Sequence, residues 1–325
     1  MSTGWRIGTR GSALALWQAH TVKARLEAMG VAPCEIVVIR TDGDRLQDAP
    51  LSDVGGKRLF VKEIEDALLE GSIDLAVHSS KDMAVVLPEG LHIAGVLARA
   101  DARDAMVLPE AAGLVDATLA QLAAALGPAP RLGTSSVRRV AQLHRQFPGA
   151  EFLPVRGNVD TRLRKLDAGD YDALVLAAAG LQRLERGSRI SAFLPVDACI
   201  PAPGQGIVAI ECREDAEEIT QTLVAMSDRA ADLALRAERA LVAAVGGGCQ
   251  LPLGAHCRET ADGGLEMLAC VTSIESDHEV RAIGFGTADD PEGLGEQVAE
   301  RLLLDGAGAI LEAVREYDGP LPTQE

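Results

Sequence analysis

Aromatic side chains are scarce in this chain of 325 residues, in which Phe, Trp and Tyr together make up 3%. Hydrophobic residues of all kinds nevertheless make up 47%, so the cores must be built from Leu, Val, Ile and Ala. Charged residues make up 24%, a balance typical of a globular protein and not of a disordered one. The length exceeds that of one ordinary domain and therefore predicts two or three domains.

Several signals of location and of metal binding are also missing. No stretch approaches the roughly 20 apolar residues that a membrane helix needs, and residues 1–10 lack the apolar middle of a signal peptide. The six cysteines are scattered without closely spaced pairs, which argues against a zinc site and against a disulfide framework. We therefore expect a cytoplasmic protein with free thiols, no metal site and no membrane partner.

Positive charge is in short supply overall but concentrated in one segment. Lys and Arg number 31 against 48 Asp and Glu, so the net charge is −17, which disfavours general binding to nucleic acid. Residues 131–165 nevertheless contain eight basic and two acidic residues, and seven of the eight are Arg. Guanidinium groups bind carboxylate or phosphate oxygens through paired hydrogen bonds, so the segment predicts an anion site. For any single arginine, a solvated helix face with i,i+4 ion pairs is the alternative.

Strand-length apolar runs alternate with amphipathic helical stretches, which predicts α/β layering. Prolines and glycines in 199–206 indicate a crossing between domains, and we find no internal repeat. The predicted strands are 5–8, 35–40, 75–78, 131–133, 151–155, 173–177, 207–211, 253–257, 265–273 and 279–285. The predicted helical regions are 13–29, 60–69, 136–146, 160–168, 215–245 and 291–316.

Polar motifs come after two of the predicted strands. Thr9-Arg10-Gly11-Ser12 comes after the first strand, and His78-Ser79-Ser80-Lys81-Asp82 comes after a buried run. In an open parallel sheet, ligands bind at the carboxyl ends of the strands, so both motifs are candidates for one cleft. A carboxylate there can accept two N–H donors or pass a proton. The alternatives are a simple helix cap for the first motif and a capped turn for the second.

Cys249 differs from the other cysteines because it directly follows three glycines. A loop without side-chain bulk can turn sharply, and a thiolate is a nucleophile able to form a lasting thioether. The common alternative is a buried small hydrophobic residue, which is our interpretation of the other five cysteines. A cysteine hydrolase that pairs Cys249 with His78 or His256 would need a His–acid pair near the thiol. A non-enzymatic anion-binding module would leave Cys249 unexplained.

Five motifs in order resemble those of the porphobilinogen deaminase, or hydroxymethylbilane synthase, family, over about residues 5–316. They are Ile7–Ser12 with Leu14–Gln18, His78–Asp82, Gly133–Arg139, Arg156–Asn158 and Gly247–Gln250. The resemblance implies two lobes like those of periplasmic binding proteins, with doubly wound sheets, and a smaller C-terminal α/β domain with a three-stranded sheet. It implies domain 1 at 1–101 and 201–222, domain 2 at 102–200 and domain 3 at 223–325.

The resemblance also implies the reaction. Four porphobilinogen molecules are deaminated and joined head to tail onto a dipyrromethane primer, releasing 1-hydroxymethylbilane and ammonia in tetrapyrrole (haem) biosynthesis. The family holds this cofactor by a thioether to the cysteine that matches Cys249, and its catalytic carboxylate matches Asp82. A monomer is expected by the same analogy. The family usually has proline soon after that carboxylate, whereas Met83-Ala84 stands here, which removes one restraint on the loop.

The remaining matched residues would bind carboxylates of cofactor or substrate, border the same cleft or cover it. Lys57 belongs to a glycine-rich loop that could cover the cleft, and Phe60 could stack on a ring. The full set is Arg10, Ser12, Lys57, Phe60, Ser79, Lys81, Thr134, Ser135, Ser136, Arg138, Arg139, Arg156, Gly157, Arg162 and Gln205.

Overall fold

The computed structural model describes residues 4–31, 33–41, 61–247, 251–274 and 277–316. Its strands are β1 Arg6–Thr9, β2 Glu35–Val38, β3 Leu75–Ser79, β4 Leu91–Val96, β5 Asp104–Val107, β6 Arg131–Gly133, β7 Glu151–Leu153, β8 Ala173–Ala177, β9 Ala192–Phe193, β10 Val208–Arg213, β11 Leu253–Glu259, β12 Gly264–Thr272 and β13 Glu279–Thr287. Its α-helices are α1 Ala13–Ala28, α2 Lys62–Leu69, α3 Leu119–Leu126, α4 Val137–His144, α5 Val159–Asp167, α6 Ala178–Arg183, α7 Glu217–Met226, α8 Arg229–Ala244, α9 Pro291–Leu302 and α10 Gly308–Glu316. None of the helices in these ranges is long and apolar enough to cross a membrane.

Two five-stranded sheets share one topology. The first sheet has the order β2-β1-β3-β10-β4 and the second has the order β7-β6-β8-β5-β9. In the first, β1 runs parallel to β2 and β3 while β10 runs antiparallel to β3 and β4. In the second, β6 runs parallel to β7 and β8 while β5 runs antiparallel to β8 and β9. The two sheets therefore have the same strand order and the same strand directions, although they consist of different parts of the chain.

Matching ion pairs support this internal duplication. The backbone N–H of Arg6 donates to Asp74 at 2.7 Å, and its guanidinium bonds the same carboxylate at 2.8 Å. The backbone N–H of Arg131 donates to Asp172 at 2.7 Å, again with a guanidinium bond at 2.8 Å. The strings that begin at these arginines, Arg-Ile-Gly-Thr and Arg-Leu-Gly-Thr, are nearly identical. The two sheets share this topology and these short strings, which are too few and too widely spaced to stand out as a sequence repeat.

The third sheet is smaller and antiparallel, with the order β11-β12-β13. Its buried face packs against α8 and α9 in one apolar cluster that includes Leu241, Met267 and Val298. The two duplicated sheets and this three-stranded sheet confirm the predicted α/β fold class. Strand β10 joins the first sheet although it comes after the second in sequence. The exact domain boundaries remain predictions.

Strand β3 is buried on both faces, as its near-continuous apolar sequence predicts. Leu75 and Val77 pack in the cluster that contains Val22 of α1, whereas Ala76 packs with Ile64 of α2. The strand ends at Ser79, so the polar residues after it emerge at the carboxyl edge of the sheet. This is the edge at which ligands bind in such folds.

Most predicted elements are present, but the helical region predicted at 215–245 is two helices. The chain leaves helical geometry at Ser227 and Asp228, and the Asp228 carboxylate accepts a hydrogen bond from the N–H of Ala231 to begin α8. Five further elements had no counterpart in the prediction: β4, β5, α3, α6 and β9. Strands β5 and β9 have only four and two residues, too few for a period-2 pattern to be distinctive.

Candidate active site

Asp82 lies in a short 3₁₀ turn, Ser80–Asp82, that continues directly from β3. The N–H of Ser80 donates to Ile207 of the neighbouring chain segment at 3.0 Å, and the N–H of Met83 donates back to Ser80 at 3.1 Å. Met83 and Ala84 are buried, at 3% and 7% exposure. Burial of these two residues anchors the turn where the family usually has proline.

A small cavity of about 80 Å³ joins the ends of β1 and β3. Arg10, Ser12, Ser79 and Asp82, four of the predicted site residues, line it together. The Ser12 hydroxyl also accepts a hydrogen bond from the N–H of Ala15 and so caps α1. The functional and capping interpretations of Ser12 are thus compatible, since the N-terminus of α1 opens onto the cavity.

Gln18 is a site residue to which the sequence analysis gave no role. Its side chain is 1% exposed and donates to the Ser79 hydroxyl at 2.8 Å, and it lines the same cavity. The available signal was its place in the Leu14–Gln18 string, in the helix that Ser12 caps. Gln18 therefore orients Ser79 beside Asp82.

Asp104 organises the facing lobe. It is fully buried and accepts hydrogen bonds from Arg138 at 2.7 Å, from Arg139 at 2.8 Å and from the Gln205 amide at 2.9 Å. Burial alone would raise the pKa of Asp104, but the Arg138 and Arg139 guanidiniums outweigh burial and hold that pKa well below its usual range. The single negative charge of Asp104 thus lies against two guanidinium groups, so the three side chains together carry a net positive charge.

The sequence analysis expected Arg138 and Arg139 to bind ligand carboxylates, but neither side chain lies open to the cleft. Both are buried, and besides Asp104 they donate to the backbone oxygens of Ile200 at 2.6 Å and Val175 at 2.9 Å, respectively. Their contacts therefore fix the structure around the cleft. Binding of a ligand carboxylate by either residue stays a prediction.

Lys81 and Arg162 bring positive charge to the cleft from opposite lobes. Burial lowers the pKa of Lys81 to about 8, with the charge of Arg139 adding to the effect and Asp82 opposing it. Burial likewise lowers the pKa of Arg162 to about 10, again with Arg139 adding to it and Asp82 opposing it. Lys81 donates to the Gln205 side chain at 3.4 Å. Asp82 therefore lies within electrostatic range of cations on both sides of the cleft.

Two helix starts of the second lobe carry the predicted hydroxyl residues and the Arg156-Gly157 pair. Ser136 immediately precedes α4, and its N–H donates to the Thr134 hydroxyl at 3.3 Å. The Ser135 hydroxyl donates to the carbonyl of Val155 at 2.8 Å and links this loop to the next one. Arg156 and Gly157 precede the Asn158 cap of α5. Exposed N–H groups at helix starts favour anions, so the placement matches the predicted chemistry.

Arg183 was not singled out by the sequence analysis, although burial lowers its pKa as it does that of Arg162. It lies at the end of α6, donates to the backbone oxygen of Gly206 at 2.7 Å and lies 5.4 Å from the ring centre of Trp17. Burial lowers its pKa to about 10. It lies outside the basic segment and within no recognisable motif, so only the packing of α6 beside α1 identifies it.

Other members of the basic segment form surface ion pairs with residues far away in sequence, and not the i,i+4 pairs of a helix face that were the alternative. Arg131 pairs with Asp172 and Arg145 pairs with Glu279, and the guanidiniums of both are largely exposed. Across the part of the chain that the structure describes, no group of three or more His, Cys, Asp or Glu residues could hold a metal ion.

Cys249, Lys57 and Phe60 lie outside the described residues. The chain approaches Cys249 through Gly246 and Gly247, whose φ angles of 88° and 61° favour glycine, as a sharp turn requires. A Cβ placed on Gly247 would lie 3.9 Å from Val85, three residues beyond Asp82. The other five cysteines are buried, and burial raises the pKa of Cys199 and Cys257 to about 12, which keeps these thiols unreactive.

Two protein-family models match the chain. Residues 5–221 match "Porphobilinogen deaminase, dipyromethane cofactor binding domain", and residues 233–304 match "Porphobilinogen deaminase, C-terminal domain". The second substrate binding domain of a putative amino acid ABC transporter from Streptococcus pneumoniae is similar with a TM-score of 0.44 at 13% identity, covering 69% of this chain and 91% of that one.

Curated relatives are similar over nearly the whole chain. The porphobilinogen deaminase of Syntrophotalea carbinolica is 44% identical, covering 98% of this chain and 99% of the relative. That of Geotalea daltonii is 46% identical over 95% and 94%, and that of Geobacillus kaustophilus is 46% identical over 96% and 98%. The family predicted from five motifs is therefore confirmed, and the chain belongs to the porphobilinogen deaminase family.

Proposed function

We propose that the chain is a hydroxymethylbilane synthase, a transferase that joins four porphobilinogen molecules head to tail and releases 1-hydroxymethylbilane and ammonia. The observation that carries the proposal is a carboxylate, Asp82, that lines one cavity with Arg10, Ser12 and Ser79 and lies within electrostatic range of Lys81 and Arg162. Family membership supports the transferase activity and the dipyrromethane cofactor. The alternative of a non-enzymatic anion-binding module is not supported.

The residues of the cleft fit a ligand that carries many carboxylates. Each pyrrole unit has an acetate and a propionate group, and Lys81 and Arg162 have pKa values lowered by burial, so an anionic partner would stabilise their charged forms. Arg10, Ser12 and Arg156 would bind further carboxylates around the same cleft. When bound through Cys249, the dipyrromethane supplies the primer that the incoming ring extends.

Asp82 would act on the substrate as ammonia leaves. Positive charge then develops on the pyrrole ring, and a carboxylate that accepts hydrogen bonds from pyrrole N–H groups stabilises that charge. The same carboxylate can relay the protons of amine departure and of ring coupling. Lys81 and Ser79 flank it and would hold the substrate in position.

Asp82 variants and intact mass test this proposal. Asp82→Glu keeps the charge but misplaces it, so we expect its activity to be well above that of Asp82→Ala. Equal rates of the two variants would mean that Asp82 takes no part in the mechanism. The purified protein should be heavier than its sequence by one dipyrromethane unit, and Cys249→Ser should lose that mass. Retention of the added mass would place the attachment elsewhere. The cytoplasmic location and the monomeric state remain predictions from the sequence.

A further inference from the structure

His78 and Glu211 form a buried pair that the reaction described above does not use. The His78 Nε2 atom lies 3.1 Å from the Glu211 Oε2 atom, with side-chain exposures of 4% and 0%. Neither carboxylate oxygen of Glu211 nor the His78 Nε2 atom has a hydrogen bond among the described residues, so the 3.1 Å approach is a close polar contact without hydrogen-bond geometry. A buried carboxyl group is costly unless a polar group lies against it, and the His78 imidazole is the polar group that lies against Glu211.

The pair lies directly behind the Asp82 turn. His78 lines the same cavity as Asp82, and only three residues separate the two along the chain. In the sheet register, His78 lies opposite Ala209 of β10, and Glu211 is two residues further along that strand. The contact therefore ties β3 to β10 diagonally, just before β3 gives way to the turn.

The second five-stranded sheet shows which residues can fill the position of the His78–Glu211 pair when only folding is required. Superposing the two registers places Leu176 of β8 where His78 lies and Val107 of β5 where Glu211 lies. Leu176 and Val107 are buried together in one apolar cluster. The same sheet position is thus stably filled by two hydrocarbons, so the topology does not require a polar pair.

The two lobes differ in the residues that come after the strand. After β8 the chain continues through Ala178 and Ala179, whereas β3 leads to Lys81 and Asp82. The polar pair is therefore found in the lobe that carries the carboxylate and is replaced by hydrocarbon in the other. A contact between polar atoms is electrostatically strong in a low-dielectric interior, so this contact restrains the end of β3.

We propose that His78 and Glu211 are positioning residues, whose contact fixes the end of β3 and thereby the carboxylate of Asp82. The inference rests on the role proposed above for Asp82. It assigns the pair to turnover and not to stability, because hydrocarbon fills the matching position of the second sheet and replacing a buried polar pair with well-packed hydrocarbon is often neutral or stabilising.

The test replaces the pair with the residues of the second sheet in the double variant His78→Leu/Glu211→Val. We expect a thermal midpoint at or above that of the parent, full cofactor loading by intact mass, and a KM for porphobilinogen within about twofold, but a kcat at least about tenfold lower. The matched control is His92→Gln. His92 lies on β4 of the same sheet beside Thr220, away from the cavity, and its variant should keep kcat within about twofold.

A second variant covers the case in which the double variant fails to fold. Glu211→Gln preserves the side-chain shape and replaces the carboxyl group with an amide, so kcat should again fall while KM holds. A folded variant of either kind with the kcat of the parent, or with no larger loss than His92→Gln, would overturn the proposal. If Asp82→Ala is inactive in that case, the positioning role alone fails. If Asp82→Ala is also active, the proposed role of Asp82 fails with it.

Discussion

At the scale of single residues, Asp104 determines the environment of two arginines. Removing its charge by Asp104→Asn would leave the buried Arg138 and Arg139 guanidiniums without a counter-charge. We expect a loss of about 3–5 kcal/mol in the free energy of unfolding, measured by urea denaturation. Asp172→Asn is the control, because both side chains of the Arg131–Asp172 pair are about 40% exposed. This variant should lose at most about 1 kcal/mol in the free energy of unfolding. Equal losses would mean that Asp104 is not the counter-charge.

Lys81 makes substrate binding depend on pH. Its pKa is lowered to about 8, so the ammonium group is charged below that pH and is lost as the pH rises through it. The anionic substrate then loses one attractive charge, and we expect KM for porphobilinogen to increase between about pH 7 and about pH 9. Lys81→Arg should remove this increase because a guanidinium stays charged over the whole range. An increase of the same size in Lys81→Arg would assign the effect to another group.

The residue scale also shows where the sequence analysis reaches its limit. The motifs placed Arg10, Ser12, Ser79 and Asp82 in one cleft, and the structure brings these four residues together. They were predictable because each lies at or just after the end of a strand that the parallel sheet fixes. The pairing of arginines with Asp104 was not predictable, because Asp104 comes from a four-residue strand far away in sequence.

At the scale of elements, boundaries were predicted well where turn residues mark them. Strands β6 and β8 have the predicted bounds, and β6 lies between Pro130 and a polar loop. The break between α7 and α8 was missed because both helices continue an amphipathic pattern. The break is marked by one residue, Asp228, whose carboxylate accepts a hydrogen bond from the N–H of Ala231. Such capping depends on side-chain geometry, which composition does not show.

The hydrogen bond between the Asp228 carboxylate and the N–H of Ala231 allows us to predict how much stability is lost when α8 loses its N-cap. Asp228→Ala leaves the first N–H groups of the helix without this acceptor, and we expect about 1 kcal/mol less free energy of unfolding in urea. Asp228→Asn keeps a capping oxygen and should retain most of the stability. Asp215→Ala, a change of an exposed acid that does not cap a helix, is the control. If Asp228→Asn were as unstable as Asp228→Ala, the capping hydrogen bond would not be the cause.

At the scale of the whole molecule, one glutamate connects three distant parts of the chain. Glu238 of α8 is fully buried and accepts hydrogen bonds from Arg99 after β4, from the N–H of Gly204 in the crossing segment and from the N–H of Cys257 in β11. The sequence predicted the crossing at 199–206 from its prolines and glycines. It could not predict the partner, because a carboxylate within an amphipathic helix is usually exposed.

Glu238→Gln tests whether this contact couples the third sheet to the rest of the molecule. The amide cannot balance Arg99, whose side chain is 12% exposed, so we expect a loss of about 3–5 kcal/mol in the free energy of unfolding. Backbone amides of α8 and β11 should exchange with deuterium faster, whereas those of β6 and β8 should change less. The control is Glu292→Gln, which removes an exposed pair with Arg236 and should cost at most about 1 kcal/mol. If faster exchange spread evenly over all three sheets, Glu238 would stabilise the chain as a whole. If it stayed within α8 and β11, the buried carboxylate would be what joins the three-stranded sheet to the two five-stranded sheets.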